Sequence, residues 1–229
     1  MMKSSKFLVL KELELFNCLD DRQLEQLSNQ AQSKKISKGQ FLFDNGDHIS
    51  DVFIVINGSF KIGRYTSNDK TLIKEIAYKH ELIGENFMAE QSYTKDFAQA
   101  LEDTEVYAVP ISFFKNLIER NATLCQCVTE ILIKKMAQLE SRMSNFVFKK
   151  AQNRIIDFLK DLAKQKGIRI GLDEILVNHG LSHKEIAYIT DTSRQTVARV
   201  LGDLKRQNII HFSTRKPHKI LIRSTLNLS

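Results

Sequence analysis

The sequence predicts an α+β chain in three parts: an N-terminal antiparallel β-roll of the jelly-roll kind, a long dimerisation helix, and a C-terminal winged helix-turn-helix. Three observations carry this. Between Lys35 and Val109, β-branched and aromatic runs alternate with turn-forming residues. Leu132, Met136, Leu139, Met143 and Phe146 follow one another at spacings of 4, 3, 4 and 3, the seam of two paired helices. Between Leu181 and Gln207, two short amphipathic segments each follow a serine able to cap a helix. The boundaries fall at 1–120 for an N-terminal helix and the roll, 121–149 for the long helix and hinge, and 150–229 for the helix-turn-helix part.

The 229 residues are 42% hydrophobic, enough for a sizeable core in one large or two modest domains. No apolar run approaches the roughly 20 residues that span a bilayer. The stretch MMKSSKFLVLKELELF is interrupted by Lys11, Glu12 and Glu14, so it reads as a short amphipathic helix and not as a signal peptide. A cytoplasmic protein without a membrane partner is expected. The net charge of +7 is unevenly placed: residues from Lys150 onward hold 15 Lys and Arg against 7 Asp and Glu, while the first 149 hold 19 against 20. Excess positive charge confined to one compact motif is the footprint of a phosphate-binding surface. An amphipathic membrane-surface helix would set it out differently. The chain has three cysteines. That odd, low count argues against a disulfide framework. Cys125 and Cys127 lie two apart on an expected helix and point apart, and Cys18 is isolated, so inert thiols are expected.

Residues Lys6 to Gln32 read as helical, with Leu13, Phe16, Leu19, Leu24 and Leu27 inward and Asp20 as a cap. The strand runs that follow are Gln40–Phe43, Val52–Ile56, Ser59–Ile62 and Leu72–Ile76. Turn-formers separate them: Ser37-Lys38-Gly39, Asp44-Asn45-Gly46-Asp47, Asn57-Gly58 and Ser67-Asn68-Asp69. Short, evenly spaced strands predict a barrel or roll, and Asn57-Gly58 predicts a hairpin. After Pro110, Ser112 can cap a short helix ending at Arg120. Asn121 or Thr123 then starts a long helix to about Phe146, with Lys134, Lys135, Glu140 and Arg142 facing out.

Ser144 to Lys150 is the expected hinge. Ala151 to Lys166 is helical, with Ile155, Ile156, Phe158, Leu159 and Leu162 inward. Ile168–Ile170 and Glu174–Val177 read as strands around Gly171. Ile209–Phe212 and Ile220–Ile222 flank a basic turn, Arg215-Lys216-Pro217-His218, as a wing would. Within the motif itself, Ser182 and Glu185 form a capping-box pattern. The turn is Thr190-Asp191-Thr192, and Ser193 caps a second helix whose inward face is Val197, Val200, Leu201 and Leu204. Its outward face starts Arg194-Gln195 and continues to Arg199. A second helix of this kind enters the major groove, where Arg and Gln reach base edges.

The stretch SHKEIAYITDTSRQTVARVL resembles the DNA-binding signature of the CRP/FNR family of bacterial transcription regulators, most specifically in SRQTVARVL. The likeness covers nearly the whole chain: a sensor roll, a dimer helix and a winged helix-turn-helix. Asp191 stands where that motif usually has Gly, a position that needs left-handed backbone, which Asp tolerates. The resemblance implies that Leu82–Phe87 opens a phosphate-binding cassette, with Gly84 and Glu85 meeting the ligand. In cyclic-nucleotide binders an Arg-Ser pair follows. Here Lys95 and Asp96 replace it, and a carboxylate repels a cyclic phosphate. The Thr-Ser pair that meets adenine in cAMP-binding relatives falls at Leu139 and Glu140. The expected effector is therefore a small molecule other than cAMP, or none. The FNR-type cluster of N-terminal cysteines is missing, so no iron–sulfur cluster is expected. RNA polymerase is the partner the family implies.

The functional expectation is a homodimer that binds double-stranded DNA at a palindromic operator. Arg194 would pair with guanine, Arg199 would touch a base or phosphate, and Gln195 suits adenine where cAMP-type relatives carry Glu. Ser182, Lys184, Ser193 and Thr196 would hold phosphates and fix register. The alternative is a ligand-binding roll, or a cupin-like enzyme, with an incidental helical tail. Against it, no nucleophile–base set or Walker loop is visible. His48 and His80 lie far apart and form no metal pattern, and a haem ligand could be argued for His80 by residue type alone.

Overall fold

In the computed structural model, which describes residues 5–66, 71–85, 93–170, 173–212 and 219–223, the chain divides into two units, Met1–Gln138 and Leu139–Ser229.

The first unit begins with α1 (Ser5–Lys11), a 3-10 turn at Glu14–Phe16, and α2 (Asp21–Gln30). The single helical region read from the sequence is thus broken. Leu10, Leu13, Phe16 and Leu19 are all buried and recur every three residues. That spacing suits 3-10 geometry, and successive i to i+3 hydrogen bonds join them. Asp20 caps α2 as expected: its carboxylate accepts from the Gln23 amide at 2.7 Å, and Gln23 Oε1 accepts from the Asp20 amide at 3.1 Å.

Eight strands follow: β1 (Gln32–Ile36), β2 (Phe41–Phe43), β3 (Asp51–Asn57), β4 (Phe60–Tyr65), β5 (Thr71–Ala77), β6 (Leu82–Ile83), β7 (Asp96–Ala100) and β8 (Thr104–Pro110). They form two antiparallel four-stranded sheets, in the orders β1-β8-β3-β6 and β2-β7-β4-β5. The period-2 alternation of a strand divides β3 between two cores. Phe53 and Val55 join Phe43, Phe60, Ile62 and Ala98 from the other sheet. Val52 and Ile54 join Phe7, Leu10, Phe16, Phe114 and Leu124 in a helical layer. Being buried on both faces, β3 reads as a continuous apolar run. Each such fully buried side chain contributes about 1.5–3 kcal/mol.

Asn57-Gly58 is not a hairpin. It turns the chain from β3 in one sheet to β4 in the other. Gly58 has φ +85°, and a Cβ there would lie 2.4 Å from Thr104 Oγ1, so the left-handed residue marks a corner between sheets. β4 instead pairs with β5, antiparallel; the expected turn between them, Ser67-Asn68-Asp69, lies outside the described residues.

α3 (Ile111–Arg120) begins directly at Pro110, placing Ser112 inside the helix and not at its cap. Asn121 Oδ1 accepts from the Leu124 amide at 2.9 Å and starts α4, Ala122–Phe148. Leu124 and Val128 bury its first turns in the helical layer. Cys18, isolated in sequence, neighbours Cys127 in space. Burial first, and then that second thiol, push the Cys18 thiol up from its ordinary value.

In the second unit α4 runs unbroken through Phe148, so the expected hinge shrinks to Lys149-Lys150. α5 (Ala151–Lys166) follows, with Ile155, Leu159 and Leu162 buried and Ile156 and Phe158 only partly so. Then come β9 (Gly167–Arg169), β10 (Glu174–Asn178), α6 (His183–Ile189), α7 (Arg194–Arg206), β11 (Ile210–Phe212) and β12 (Lys219–Arg223). The strands form one antiparallel sheet, β11-β12-β10-β9. β11 and β12 pair as the expected wing hairpin, with Phe212 opposite Ile220. Its basic turn, Arg215 to His218, is outside the described residues, as is Gly171.

Candidate nucleic-acid interface

The helix pair is fixed by its caps and its apolar face. Ser182 Oγ accepts from the Glu185 amide at 3.3 Å, and Glu185 Oε2 accepts from the Ser182 amide at 2.7 Å. Ser193 Oγ accepts from the Thr196 amide at 3.0 Å and lies 2.9 Å from Thr196 Oγ1. Ile186 and Ala187 on α6 and Val197, Val200, Leu201 and Leu204 on α7 are buried. With one face of α7 spent on this core, its period of 3.6 turns Arg194, Gln195 and Arg199 to solvent. Arg199 lies 3.9 Å from Asp203 with its side chain 64% exposed, so that pair is weak and leaves the guanidinium available.

Ser182, Lys184 and Ser193 are also exposed, and Thr196 is half-buried. A capping hydroxyl that accepts an amide still has its own proton to donate, which is the group a phosphate oxygen takes. The Lys184 ammonium stands 5.7 Å from the Tyr188 ring, which leaves its charge at the surface. At the first residue of α6, burial first, and then the cationic Arg194, hold His183 below its ordinary value.

The turn departs from the sequence reading in one respect. Asp191 does adopt left-handed backbone, φ +51°, yet it is more than a tolerated substitute for Gly. Arg142, expected to face solvent, reaches Asp191 with Nε at 2.9 Å and Nη2 at 2.7 Å and donates to the Tyr188 carbonyl at 3.0 Å. Arg154 donates to the carbonyls of Thr190 at 2.9 Å and Asp191 at 2.8 Å. Long-range pairing of this kind leaves no periodic mark in a sequence.

The residues assigned to the effector lie in different settings. Gly84 has φ +94°. Glu85 is ion-paired at 2.7 Å with Lys135, which also meets Glu75 at 3.1 Å. Lys135 was expected to face out, but its side chain is 22% exposed. Burial pulls its pKa down, and the Glu85 and Glu75 carboxylates outweigh this and hold it above its ordinary value. Among the described residues, Glu85 Oε2 is buried with no hydrogen-bond partner. Lys95 is exposed, while Asp96 is buried between Arg64 at 2.7 Å and Lys74 at 2.6 Å. The remainder of the cassette, residues 86–92, is outside the described residues. Leu139 and Glu140 are exposed in the second unit.

The apolar seam is exposed along its length: Leu132, Met136, Leu139, Met143 and Phe146 are between 43% and 71% accessible. His80 is an exposed turn residue with φ +73°. Among the described residues no group of three His, Cys, Asp or Glu is placed to hold a metal, and no helix is long and apolar enough to cross a membrane.

Comparison with known proteins finds matches in two parts of the chain. Residues 33–121 match the model of a cyclic nucleotide-binding domain, and residues 153–228 that of a Crp-like helix-turn-helix domain. An anaerobic regulatory protein of Bacillus subtilis is 26% identical over 188 residues, 81% of this chain and 78% of its own. A cyclic AMP receptor protein of Thermus thermophilus is 24% identical over 201 residues, 88% of this chain and 89% of its own. In fold, the chain is similar to FixK2 from Bradyrhizobium japonicum, with a TM-score of 0.75 at 19% identity, covering 86% of this chain and 95% of that one.

Proposed function

Because the chain belongs to the CRP/FNR family of transcription regulators, we propose that it is a homodimer that reads a palindromic operator in double-stranded DNA and answers to a small molecule other than cAMP. The observation that carries the DNA reading is the outward presentation of Arg194, Gln195 and Arg199 on a helix whose opposite face is locked in the core. Arg194 donates to guanine N7 and O6, Gln195 pairs with adenine N6 and N7, and Arg199 takes a base or phosphate one turn on. Ser182, Lys184, Ser193 and Thr196 hold phosphates and set register.

Dimerisation is supported by the exposed stripe on α4. Five large apolar side chains at coiled-coil spacing, all accessible in a single chain, call for a second copy of the same helix. Two recognition helices about 34 Å apart then meet successive major grooves. RNA polymerase is the further partner.

The effector reading rests on charge. The place where cyclic-nucleotide binders neutralise phosphate holds Asp96, already engaged by Arg64 and Lys74. Leu139 offers adenine no hydrogen bond, and Glu140 offers no donor. Gly84 and Glu85 remain as candidates for a ligand with a hydroxyl or amine, because the second oxygen of Glu85 is a buried acceptor in need of a donor. One relative is named an anaerobic regulatory protein and another a cyclic AMP receptor protein, so family membership leaves the ligand open. No iron–sulfur cluster belongs to this reading. Nor does catalysis, since relatives of this chain are named as a transcriptional regulator and a transcriptional activator.

The test is selection of duplexes from a randomised pool, followed by titration. Arg194→Ala costs about 1–3 kcal/mol and relaxes one base position. Lys184→Ala weakens binding on all sequences and makes its salt dependence shallower. An unchanged selected motif and affinity for Arg194→Ala sinks the reading of α7.

A further inference from the structure

The turn between α6 and α7 is held from outside the helix pair, and by more than such a turn needs. Asp191 occupies left-handed backbone at φ +51°, where Gly would carry no strain. Its carboxylate receives the Arg142 guanidinium in two-point fashion, at 2.9 and 2.7 Å. This fork-to-fork geometry fixes direction as well as distance. Both side chains are about three-quarters buried, at 24% and 23% exposed. The same guanidinium caps the Tyr188 carbonyl, and Arg154 caps those of Thr190 and Asp191 while also donating to the Lys149 carbonyl at 2.7 Å. Arg154 in turn lies 5.3 Å from the Phe146 ring. Carbonyls at and just past the end of a helix lack intrahelical partners. Here arginines from α4 and α5 supply them.

The α4 segment that carries Arg142 also carries Leu139, Met143 and Phe146, all exposed. Within the second unit, then, one rigid helical segment presents the apolar stripe and grips the turn from which the recognition helix starts. We propose that Arg142 and Arg154 are positioning residues for DNA reading, with Asp191 as their receptor. They set the direction in which α7 leaves the dimer helix, and so the half-site spacing the dimer accepts. This rests on the reading of the chain as a dimeric operator binder. Neither arginine touches a base; each acts through Asp191 and the turn.

The experiment uses the full chain and a palindromic duplex selected by the wild type from a randomised pool. Binding is compared on that duplex, on the same duplex with one base pair added at its centre, and on a single half-site. A half-site engages one recognition helix and is indifferent to the angle between two. Arg142→Met should weaken binding to the full palindrome about tenfold, leave half-site binding within about twofold, and narrow the preference for native over lengthened spacing. Arg154→Met should act in the same direction. Asp191→Gly removes the receptor while relieving the left-handed backbone, so it should show the same loss on the palindrome and the same sparing of the half-site. The double variant R142M/D191G should be no worse than R142M alone. Equal losses on half-site and palindrome, no loss on either, or multiplying effects in the double variant overturn the positioning role while leaving the DNA reading intact. If the wild type selects no duplex at all, both are overturned.

Discussion

Replacing Lys135 by Met keeps a stem of similar length and removes the ammonium from between two carboxylates. In the folded chain that ammonium lies 2.7 Å from Glu85 Oε1, 3.1 Å from Glu75 Oε1 and 3.4 Å from the Leu82 carbonyl. The Glu85 side chain is 9% exposed and that of Glu75 33%. Removing one member of a buried pair costs about 3–5 kcal/mol, because the survivor is left charged and dry. An exposed pair is worth about 0–1 kcal/mol. Glu75 keeps a third of its water, so the penalty falls mainly on Glu85, and about 2–3 kcal/mol follows for Lys135→Met. Since the carboxylates hold Lys135 above its ordinary value, this stabilisation is complete below the usual lysine pKa and is lost only as pH rises through the raised one. It is therefore fully present near neutrality. Calorimetry on the full chain should show the first unit melting about 4–12 °C lower. Adding Glu85→Gln should recover more than half of the loss, because a neutral amide needs no counter-charge. A midpoint within about 1 °C of wild type for K135M, or a double variant as damaged as the two single losses together, would refute the buried-charge argument.

Two further predictions use contrasts within the chain. Gly58→Ala meets both a positive φ and Thr104 Oγ1 at 2.4 Å, whereas Gly39→Ala meets a positive φ with nothing within 4 Å. The first should cost about 3 kcal/mol and the second about 1 kcal/mol by urea unfolding, and equal costs would remove the clash from the account. His183 is held below its ordinary value by burial and by Arg194, so on acidification the unfolded chain takes up its proton first. Stability should be full above the ordinary value of 6.5 and fall as pH drops below it. His183→Gln should flatten that fall between about pH 7.5 and 5.5 in thermal melts, and an unaltered slope would exclude His183 as its source.

What the sequence displayed of this fold is what local physics repeats. The Asp20 cap and the Ser182–Glu185 capping box are patterns within four residues, and both are formed. The apolar face of α7 follows its 3.6-residue period, and all of Val197, Val200, Leu201 and Leu204 are buried. α5 matches its expected bounds of Ala151–Lys166. Even the misread elements failed for local reasons. Asn57-Gly58 announces positive φ but not which strand comes next to which, and a corner between sheets needs the same backbone as a hairpin. The 3-10 turn at Glu14–Phe16 was hidden because a three-residue apolar spacing also fits a helix.

The polar face of α4 shows where that kind of reading stops. Lys135 and Arg142 are a basic residue every seven positions on a helix, which in sequence looks like a solvated stripe. Each instead finds its carboxylate about 50 positions away, Glu85 for Lys135 and Asp191 for Arg142. A side chain that long reaches a partner over many possible rotamers, so no period or spacing announces the match. The apolar stripe is different, since only one face can be hidden by a second helix, and its 4-3 rhythm is visible. One helix thus carries one side that sequence periodicity declares and one that only the folded chain reveals. The hidden side bears on both candidate sites: Lys135 holds Glu85 in the first unit, and Arg142 holds the recognition turn in the second. α4 thus holds one carboxylate in each unit through a cation, Glu85 through Lys135 and Asp191 through Arg142.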